Sequence, residues 1–564
     1  MSDMKFWIKA NQELIAKAIG ELTFEQVLKP VKSGNDWELT LASGAKYSFS
    51  GWMSTWEHLR INSSTIKRNG EAASSSAQFF IDSQKETLMD DITLGNFFEE
   101  MNNTLYSDVK LLEKRSSHSV EAIINWDGEK LQTVLNGHPK LLLNKGRVGW
   151  NAKDLEAYSP EADQSFKLHW IAVRSSLLEG KIPTDEMIRE SFSGHVSYTA
   201  PDNFTLIPVH PWQWQRFIAI QFAGAIASGD IISLGEAGDD YRPQISLRTL
   251  SNQTHPKKLD IKLPLSVLNT SCIRGLPAKS IAVGTKVSQV LSTICEEDAL
   301  LKKSNTKILA EKAGVAFVQP EFAKVKDAPY RYHEYLGAVW RESAQSKLAS
   351  NEVAIITATL FHQDENNNSL IGAYIKKSGL SKQEWLKRYF DVVVIPLYHL
   401  QLEYGLGMVA HGQNIILILK DSAPSGMILK DFQGDLRLLK DLPPQGKKYL
   451  SEIQNDLTTL PSHYLIHDLI TGHFITVLRF ISEVMQESDS LNESEFYQIL
   501  ATQLENYTED KTIAHEQNLL APSFQRVLLN KVRFAIGYAD TAARPLPMLG
   551  AELINPLAAQ KGAK

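Results

Sequence analysis

Apolar residues recur at helical spacing through the first 130 residues: Phe6, Ile8, Leu14, Ile15 and Ile19 fall on one face, and Leu88 to Leu112 repeats the pattern. A polar stretch, Asn69 to Gln78, interrupts it and reads as a loop. From Leu131 to about Tyr330 the pattern changes to short strand-like runs punctuated by Pro, Gly and Asn, among them Phe204 to Val209, Ile245 to Leu250 and Leu259 to Leu265. Helical spacing returns after Tyr330, in Ser381 to Tyr404 and Tyr464 to Glu487, and no repeat of fixed period is present. The pattern predicts an α+β chain in three stretches, 1–130, 131–329 and 330–564.

Between the last two helical segments the alternation predicts a hairpin. Ile415 to Leu419 is an apolar strand, Asp421 to Gly426 carries Asp, Ser, Pro and Gly turn chemistry, and Met427 to Asp431 runs back. With the turn centred near Ala423, Ile415 would face Asp431, which brings His411, Gln413 and Asn414 beside that carboxylate. Asn and Asp oxygens so placed suit Mg²⁺, the hard cation that accompanies nucleotide phosphates; a capped start to the strand is the alternative.

The composition adds exclusions. Over 564 residues, 43% hydrophobic and 22% charged residues describe an ordinary globular chain, with length for roughly three or four domain-sized units. A net charge of −6 gives no basic surplus for nucleic acid or a membrane surface. Only Cys272 and Cys295 occur, so no zinc spacing exists, and a reduced, cytoplasmic setting fits best. Asp3, Lys5, Lys9 and Glu13 break any export signal, and Pro396, His467, Asp468, His473 and Arg479 interrupt the longest apolar runs, so no membrane span is expected.

Local charge contradicts the acidic average. From Tyr241 to Lys279, seven cations (Arg242, Arg248, Lys257, Lys258, Lys262, Arg274 and Lys279) stand against Asp260 alone. Arg248 on the Ile245 to Leu250 run and Lys262 on the next could share a face and grip phosphate or carboxylate; a solvated cationic edge strand is the competing reading. Gly137-His138-Pro139 and Asn144-Lys145-Gly146-Arg147 form a turn able to approach phosphate oxygens, or a plain surface turn. His210 among Trp212 and Trp214 reads as a packed junction. No phosphate-loop, dinucleotide, zincin or nucleophile-elbow signature occurs. The order His411, Asn414, Asp431-Phe432 resembles a kinase catalytic loop followed by its metal-binding Asp, yet no Asp stands as base near Gln413 and no glycine-rich loop precedes it.

Ten collinear segments, NGHPKLLLNKGRVGW, YSPEADQSFKLHW, LIPVHPWQWQ, SLRTL, DIKLPLSVLNTSCIRG, YRYHEYLGAVWRES, VVVIPLYHL, VAHGQN, LKDFQGDLRL and SHYLIHDLITGHFITVLRFIS, closely resemble the NRPS-independent siderophore synthetases, the IucA/IucC family. The resemblance implies a cupped-hand fold with a helical thumb (1–130), antiparallel-sheet fingers (131–329) and a kinase-like palm (330–564), usually as a homodimer binding ATP and Mg²⁺. It implies an ATP-dependent carboxylate–amine ligase that forms an acyl-adenylate, releases pyrophosphate and lets an amine attack, leaving AMP. By position in the matching motifs, Ser246, Arg248 and Thr249 would bind nucleotide phosphate and acyl substrate. Lys262 and Arg274 would hold the α-phosphate and the carboxylate, with Thr270 beside them. His138, Lys145 and Arg147 would face the phosphates, His411, Gln413 and Asn414 would contact nucleotide and acyl group, and Asp431, with Asn414, would bind Mg²⁺.

Leu141-Leu142 and Val409 replace a second His-Pro and a Glu common in the family, and both features resemble the IucC-like branch. That branch implies a hydroxamate intermediate as the carboxylate. The carboxyl-terminal LLNKVRFAIGYADTAARPLPMLG resembles the members that join N-hydroxy-N-succinyl diamines into macrocyclic dihydroxamates such as putrebactin, bisucaberin or alcaligin. The alternative is the joining of a citryl monoamide to N6-acetyl-N6-hydroxylysine. Kinase-like phosphotransfer and non-catalytic siderophore binding are the readings of other classes.

Overall fold

The computed structural model describes residues 4–191, 201–270, 272–325, 327–432, 434–536 and 548–558. Half of the carboxyl-terminal segment that carried the macrocycle resemblance, residues 537–547, lies outside them.

The amino-terminal stretch is less helical than its periodicity predicts. Between the helices Met4–Phe24 and Asp91–Arg115 the chain forms a six-stranded antiparallel sheet from Val31 to Ala72. Its longest strand, Lys46–Met53, turns Tyr47 and Phe49 inward onto Leu14, Ile15 and Ile19, a period-2 signal that the helical spacing on either side obscured. The supposed loop at 69–78 is the end of a small hairpin followed by the helix Ser76–Asp82, whose first turn is capped by Ser75 accepting from Gln78 N at 3.2 Å.

The middle stretch builds an eight-stranded sheet whose buried core includes Trp170, Ile171, Ile207, Tyr241, Ile261 and Trp340. Two predicted strands change shape here. Residues 245–248 are a turn, with Leu247 at φ 69°, and the strand begins only at Thr249. The run from Leu259 to Leu265 breaks at Pro264, because a proline cannot donate to a ladder: Asp260–Lys262 stays in the large sheet while Leu265–Asn269 leaves to pair with Cys272–Arg274.

The hairpin exists, two residues out of the expected register. Asp421 and Ser422 both adopt positive φ (51° and 65°), the signature of a two-residue primed turn, so Lys420 pairs with Ala423. A bulge between Ile418 and Leu419 then sets Ile415 opposite Leu429, and Asp431 lies beyond the ladder. Thr306–Ile308 extends this sheet in parallel and Glu352–Ile356 flanks it. The segment Ser462–Ser488 has the length and mean hydropathy (1.2) of a membrane span, but 89% of that window is buried against its own chain. The largest core surrounds it, including Leu400, Leu417, Phe474 and Leu478.

Candidate active site

Cross-strand register puts the chemistry on one face. In the large sheet Thr249 pairs with Lys262, and Asp260 pairs with Arg341, so alternation turns Thr249, Lys262, Asp260 and Arg341 to the same side. That side is buried against the end of the 415–429 hairpin, where Lys262 Nζ meets Asp431 Oδ1 at 3.0 Å and Arg341 Nη1 meets the same oxygen at 3.1 Å.

In front of this pair lies a cavity of about 240 Å³, and all thirteen residues singled out in the sequence line it. His138, Lys145 and Arg147 come from an irregular loop; Ser246, Arg248 and Thr249 from the turn and the start of its strand; Lys262 from the next strand; Thr270 and Arg274 from the small hairpin; His411, Gln413, Asn414 and Asp431 from the other side. Of the seven cations between Arg242 and Lys279, three line it; Arg242 instead pairs with Asp163 at 3.1 Å, and Lys257 and Lys279 are exposed. Neither a cationic edge strand nor a plain surface turn describes these residues, since Lys145, Arg147 and Lys262 are all buried.

Some of these charges are already committed. Arg147 forms a two-pronged pair with Glu161 at 2.5 and 2.9 Å, and Lys145 donates to Asp108 at 2.6 Å and to the Asn136 carbonyl at 2.8 Å. Arg248 donates to the Gly275 carbonyl and Arg274 to the Thr270 hydroxyl. Burial, then the neighbouring Arg274, pulls the Arg248 pKa down. Others are open: Ser246 Oγ, Thr249 Oγ1, Asn269 Oδ1 and Arg274 Nε are buried with no hydrogen-bond partner. Each such group costs about 1–3 kcal/mol unless a ligand satisfies it. Leu247, Thr270 and Asp431 also hold positive φ, at 69°, 63° and 63°, the kind of backbone strain that collects at functional sites.

Two histidines face each other across the cavity, ring centres 6.2 Å apart. Burial lowers the pKa of both, and each also feels neighbouring charge, His138 from His411. The Nδ1 of His138 accepts from Leu141 N at 3.1 Å and that of His411 from Gln413 N at 3.2 Å. In the neutral ring the proton therefore sits on Nε2 of each, making both hydrogen-bond donors to an oxygen. Asp431 is held well below the usual carboxylate range by Lys262, Arg341 and Lys430, which overcome the opposing effect of its burial.

Sequence reasoning missed Arg341, Lys430, Asp435 and Glu161. Arg341 carried a signal, the lone charge in the apolar run Gly337–Arg341; Asp435 had none, and reaches the cavity with Asn414 Nδ2 donating to its Oδ2 at 3.1 Å. His210 is the packed junction expected, accepting from Trp212 N at 3.2 Å and buried.

A mixed α+β chain that gathers cations and unsatisfied hydroxyls around one buried cavity has the makings of a protein that grips a small polyanion. The chain belongs to the IucA/IucC family of NRPS-independent siderophore synthetases, in its IucC-like branch. The IucA / IucC family model matches residues 129–362, and a model described as ferric iron reductase FhuF-like transporter matches residues 383–541. The chain is 40% identical to aerobactin synthase of Escherichia coli over 573 residues, 98% of each protein. It is 29% identical to putrebactin synthase of Shewanella sp. strain MR-4, covering 94% of this chain and 87% of that one. The solved structure of aerobactin synthetase IucC from a hypervirulent Klebsiella pneumoniae matches with a TM-score of 0.87 and 36% identity over 99% of both chains. The chain is a siderophore synthetase.

Proposed function

We propose that the chain is an ATP-dependent carboxylate–amine ligase acting on a hydroxamate intermediate. A substrate carboxylate oxygen attacks the α-phosphorus of ATP, the bond to pyrophosphate breaks, and an amine then attacks the acyl carbon and displaces AMP. The observation that carries this reading is the convergence of Arg248, Lys262 and Arg274 with the unpartnered Ser246 and Thr249 hydroxyls on one cavity. Negative charge builds on the α-phosphate oxygens and the departing pyrophosphate, and preorganised donors in a buried site stabilise it most.

Roles follow from position. Arg248, Ser246 and Thr249 bind phosphate oxygens; Arg274 and Thr270 hold the carboxylate beside the α-phosphate; His411, protonated on Nε2, donates to the acyl oxygen. That tautomer makes His411 a donor and leaves the attacking amine to pass its proton to a phosphate oxygen. His138, Lys145, Arg147 and Gln413 complete the phosphate and nucleotide side.

Asp431, Asp435 and Asn414 share one end of the cavity, and the committed amide nitrogen of Asn414 leaves its oxygen to face a cation. No group of three or more His, Cys, Asp or Glu able to hold a metal unaided occurs among the described residues. The set nonetheless fits Mg²⁺, which keeps several waters and takes one or two carboxylates together with substrate phosphates. When bound it would neutralise phosphate charge.

Two substrate pairs remain for the finer reading. The 40% identity to aerobactin synthase, against 29% to putrebactin synthase, favours joining a citryl monoamide to N6-acetyl-N6-hydroxylysine over closing a macrocyclic dihydroxamate. Incubation with ATP, Mg²⁺ and each candidate pair, followed by product mass and nucleotide analysis, tests both levels. AMP and pyrophosphate are expected; ADP and phosphate would overturn the adenylation step, and the mass distinguishes citrate amide from macrocycle.

A further inference from the structure

Behind Asp431, outside the main cavity, sits a second set of charges that the reaction scheme leaves unused. Arg341 is almost wholly buried and bridges two carboxylates: Nη1 donates to Asp431 Oδ1 at 3.1 Å and Nη2 to Asp260 Oδ2 at 3.2 Å. Asp260 is its direct cross-strand partner, so the bridge is built into the register of the sheet. Gln244 ties the cluster together, donating to Asp260 Oδ2 at 3.0 Å and accepting from Arg341 Nη2 and Lys430 Nζ, both at 3.4 Å. Arg341, Lys430, Asp260 and Gln244 line a separate small cavity of about 20 Å³, room for a water and no nucleotide.

The decisive detail is that Lys262 and Arg341 donate to the same oxygen of Asp431. Lys262 stands at the nucleotide cavity; Arg341 stands behind it. A lysine that leaves a buried carboxylate for a phosphate would strand an uncompensated negative charge, which costs several kcal/mol unless another cation stays in place. Lys430 also faces Asp431, across 3.6 Å to the other oxygen, Oδ2; Arg341, anchored on Asp260, is the cation that keeps a hydrogen bond to the oxygen Lys262 vacates.

Resting on the ligase reading, we infer that Arg341 is a positioning residue: the standing counter-ion of Asp431 that lets Lys262 exchange its carboxylate for the phosphates of ATP. It acts through Asp431 and touches no substrate. The alternative is that Arg341 merely adds positive charge near an anion site, which would act in every background alike.

A double-mutant cycle on ATP affinity separates the two, read by calorimetry with ATP and EDTA so that no divalent cation contributes. Arg341→Met should weaken ATP about tenfold when Asp431 is present, and less than about threefold in the Asp431→Asn background, where Lys262 is already free. Arg341→Lys keeps the charge but cannot span both carboxylates, so an intermediate loss is expected; it also serves if Arg341→Met fails to fold. Equal losses in the two backgrounds, or ATP affinity unchanged in Arg341→Met, overturn the inference. Pyrophosphate release by the unmodified protein with Mg²⁺ is scored separately: its presence with an additive cycle sinks the positioning role alone, and its absence sinks the ligase reading and this inference together.

Discussion

Arg274 presents a guanidinium whose Nε lacks any partner while its Nη2 is tied to Thr270, so it enters the cavity oriented and only partly satisfied. Arg274→Ala should lower pyrophosphate release by at least about a hundredfold, the scale of losing one preorganised donor to a developing anion, while circular dichroism and the unfolding midpoint stay near those of the parent. Near-normal turnover would remove Arg274 from the mechanism. His473 shows a different use of a buried side chain. Its Nδ1 donates to the Ala410 carbonyl at 2.9 Å and its Nε2 accepts from Tyr389 OH at 3.0 Å, and burial pulls its pKa from 6.5 to about 4. The native ring is thus neutral where the unfolded one takes a proton. Its contribution is complete above about pH 6.5 and is lost as pH falls toward 4, on the order of 3 kcal/mol in all. Denaturant midpoints measured between pH 7 and 5 should fall less steeply in His473→Gln than in the parent; equal slopes would refute the assignment. Candidate residues of this kind were legible because charged and hydroxyl side chains in motif order are visible in one dimension. Their state was not: that His411 donates depends on how the backbone turns Gln413 N onto its Nδ1, and that Arg147 pairs with Glu161 depends on how the intervening chain folds back, and motif order dictates neither.

Elements decide where such residues point. The nine-residue π-helix Ile470–Leu478, inside a longer helical run, packs directly on the loop that carries His411, Gln413 and Asn414. His473 holds the Ala410 carbonyl, and Gly472 lies so close that an added Cβ would stand 2.8 Å from Ala410 N. A wide helical turn of this type often marks a functional site. Gly472→Ala should therefore push the loop outward and weaken ATP binding about tenfold at least, with a smaller effect on unfolding, because one methyl against a backbone nitrogen must be relieved by movement. Nucleotide titration beside thermal unfolding checks both parts; unchanged affinity would show that the loop does not depend on this contact. The hairpin teaches the complementary lesson. Alternation and turn residues located it, but positive φ at Asp421 and Ser422 and a bulge at Ile418 moved the register by two, and both are backbone choices that composition does not dictate.

Across the whole molecule, a buried charge network joins the amino-terminal helix to the carboxyl-terminal core. Glu21 accepts from Lys140 Nζ at 3.0 Å and pairs with Arg479, His58 Nε2 stands 3.5 Å away, and Lys140 also reaches Glu25 at 3.4 Å. Lys140 sits within the loop that carries His138 and Lys145 to the cavity, so the same network supports the site. The surrounding cations hold the Glu21 carboxyl at about 2 against its burial. Glu21→Gln would leave Arg479 buried without its paired carboxylate and Lys140 with Glu25 alone, and should cost about 3–5 kcal/mol, read from urea unfolding; a loss under about 1 kcal/mol would mean that the network relaxes around the change.

Sequence alone determined the α+β class, the family and the identity of thirteen of the cavity's side chains, because periodicity and motif order are properties of a one-dimensional string. It determined too that the acidic average hides a cationic segment. Only the tertiary structure decided that the amino-terminal stretch holds a sheet, that Ser462–Ser488 is buried in a core, and that Arg248 and Lys262 share a cavity with Asp431. It alone decided that Arg341 stands behind Lys262 on one carboxylate oxygen. These outcomes rest on contacts between residues up to hundreds of positions apart. Such contacts arise only when strand register and core packing close the chain upon itself, and no local pattern encodes that closure.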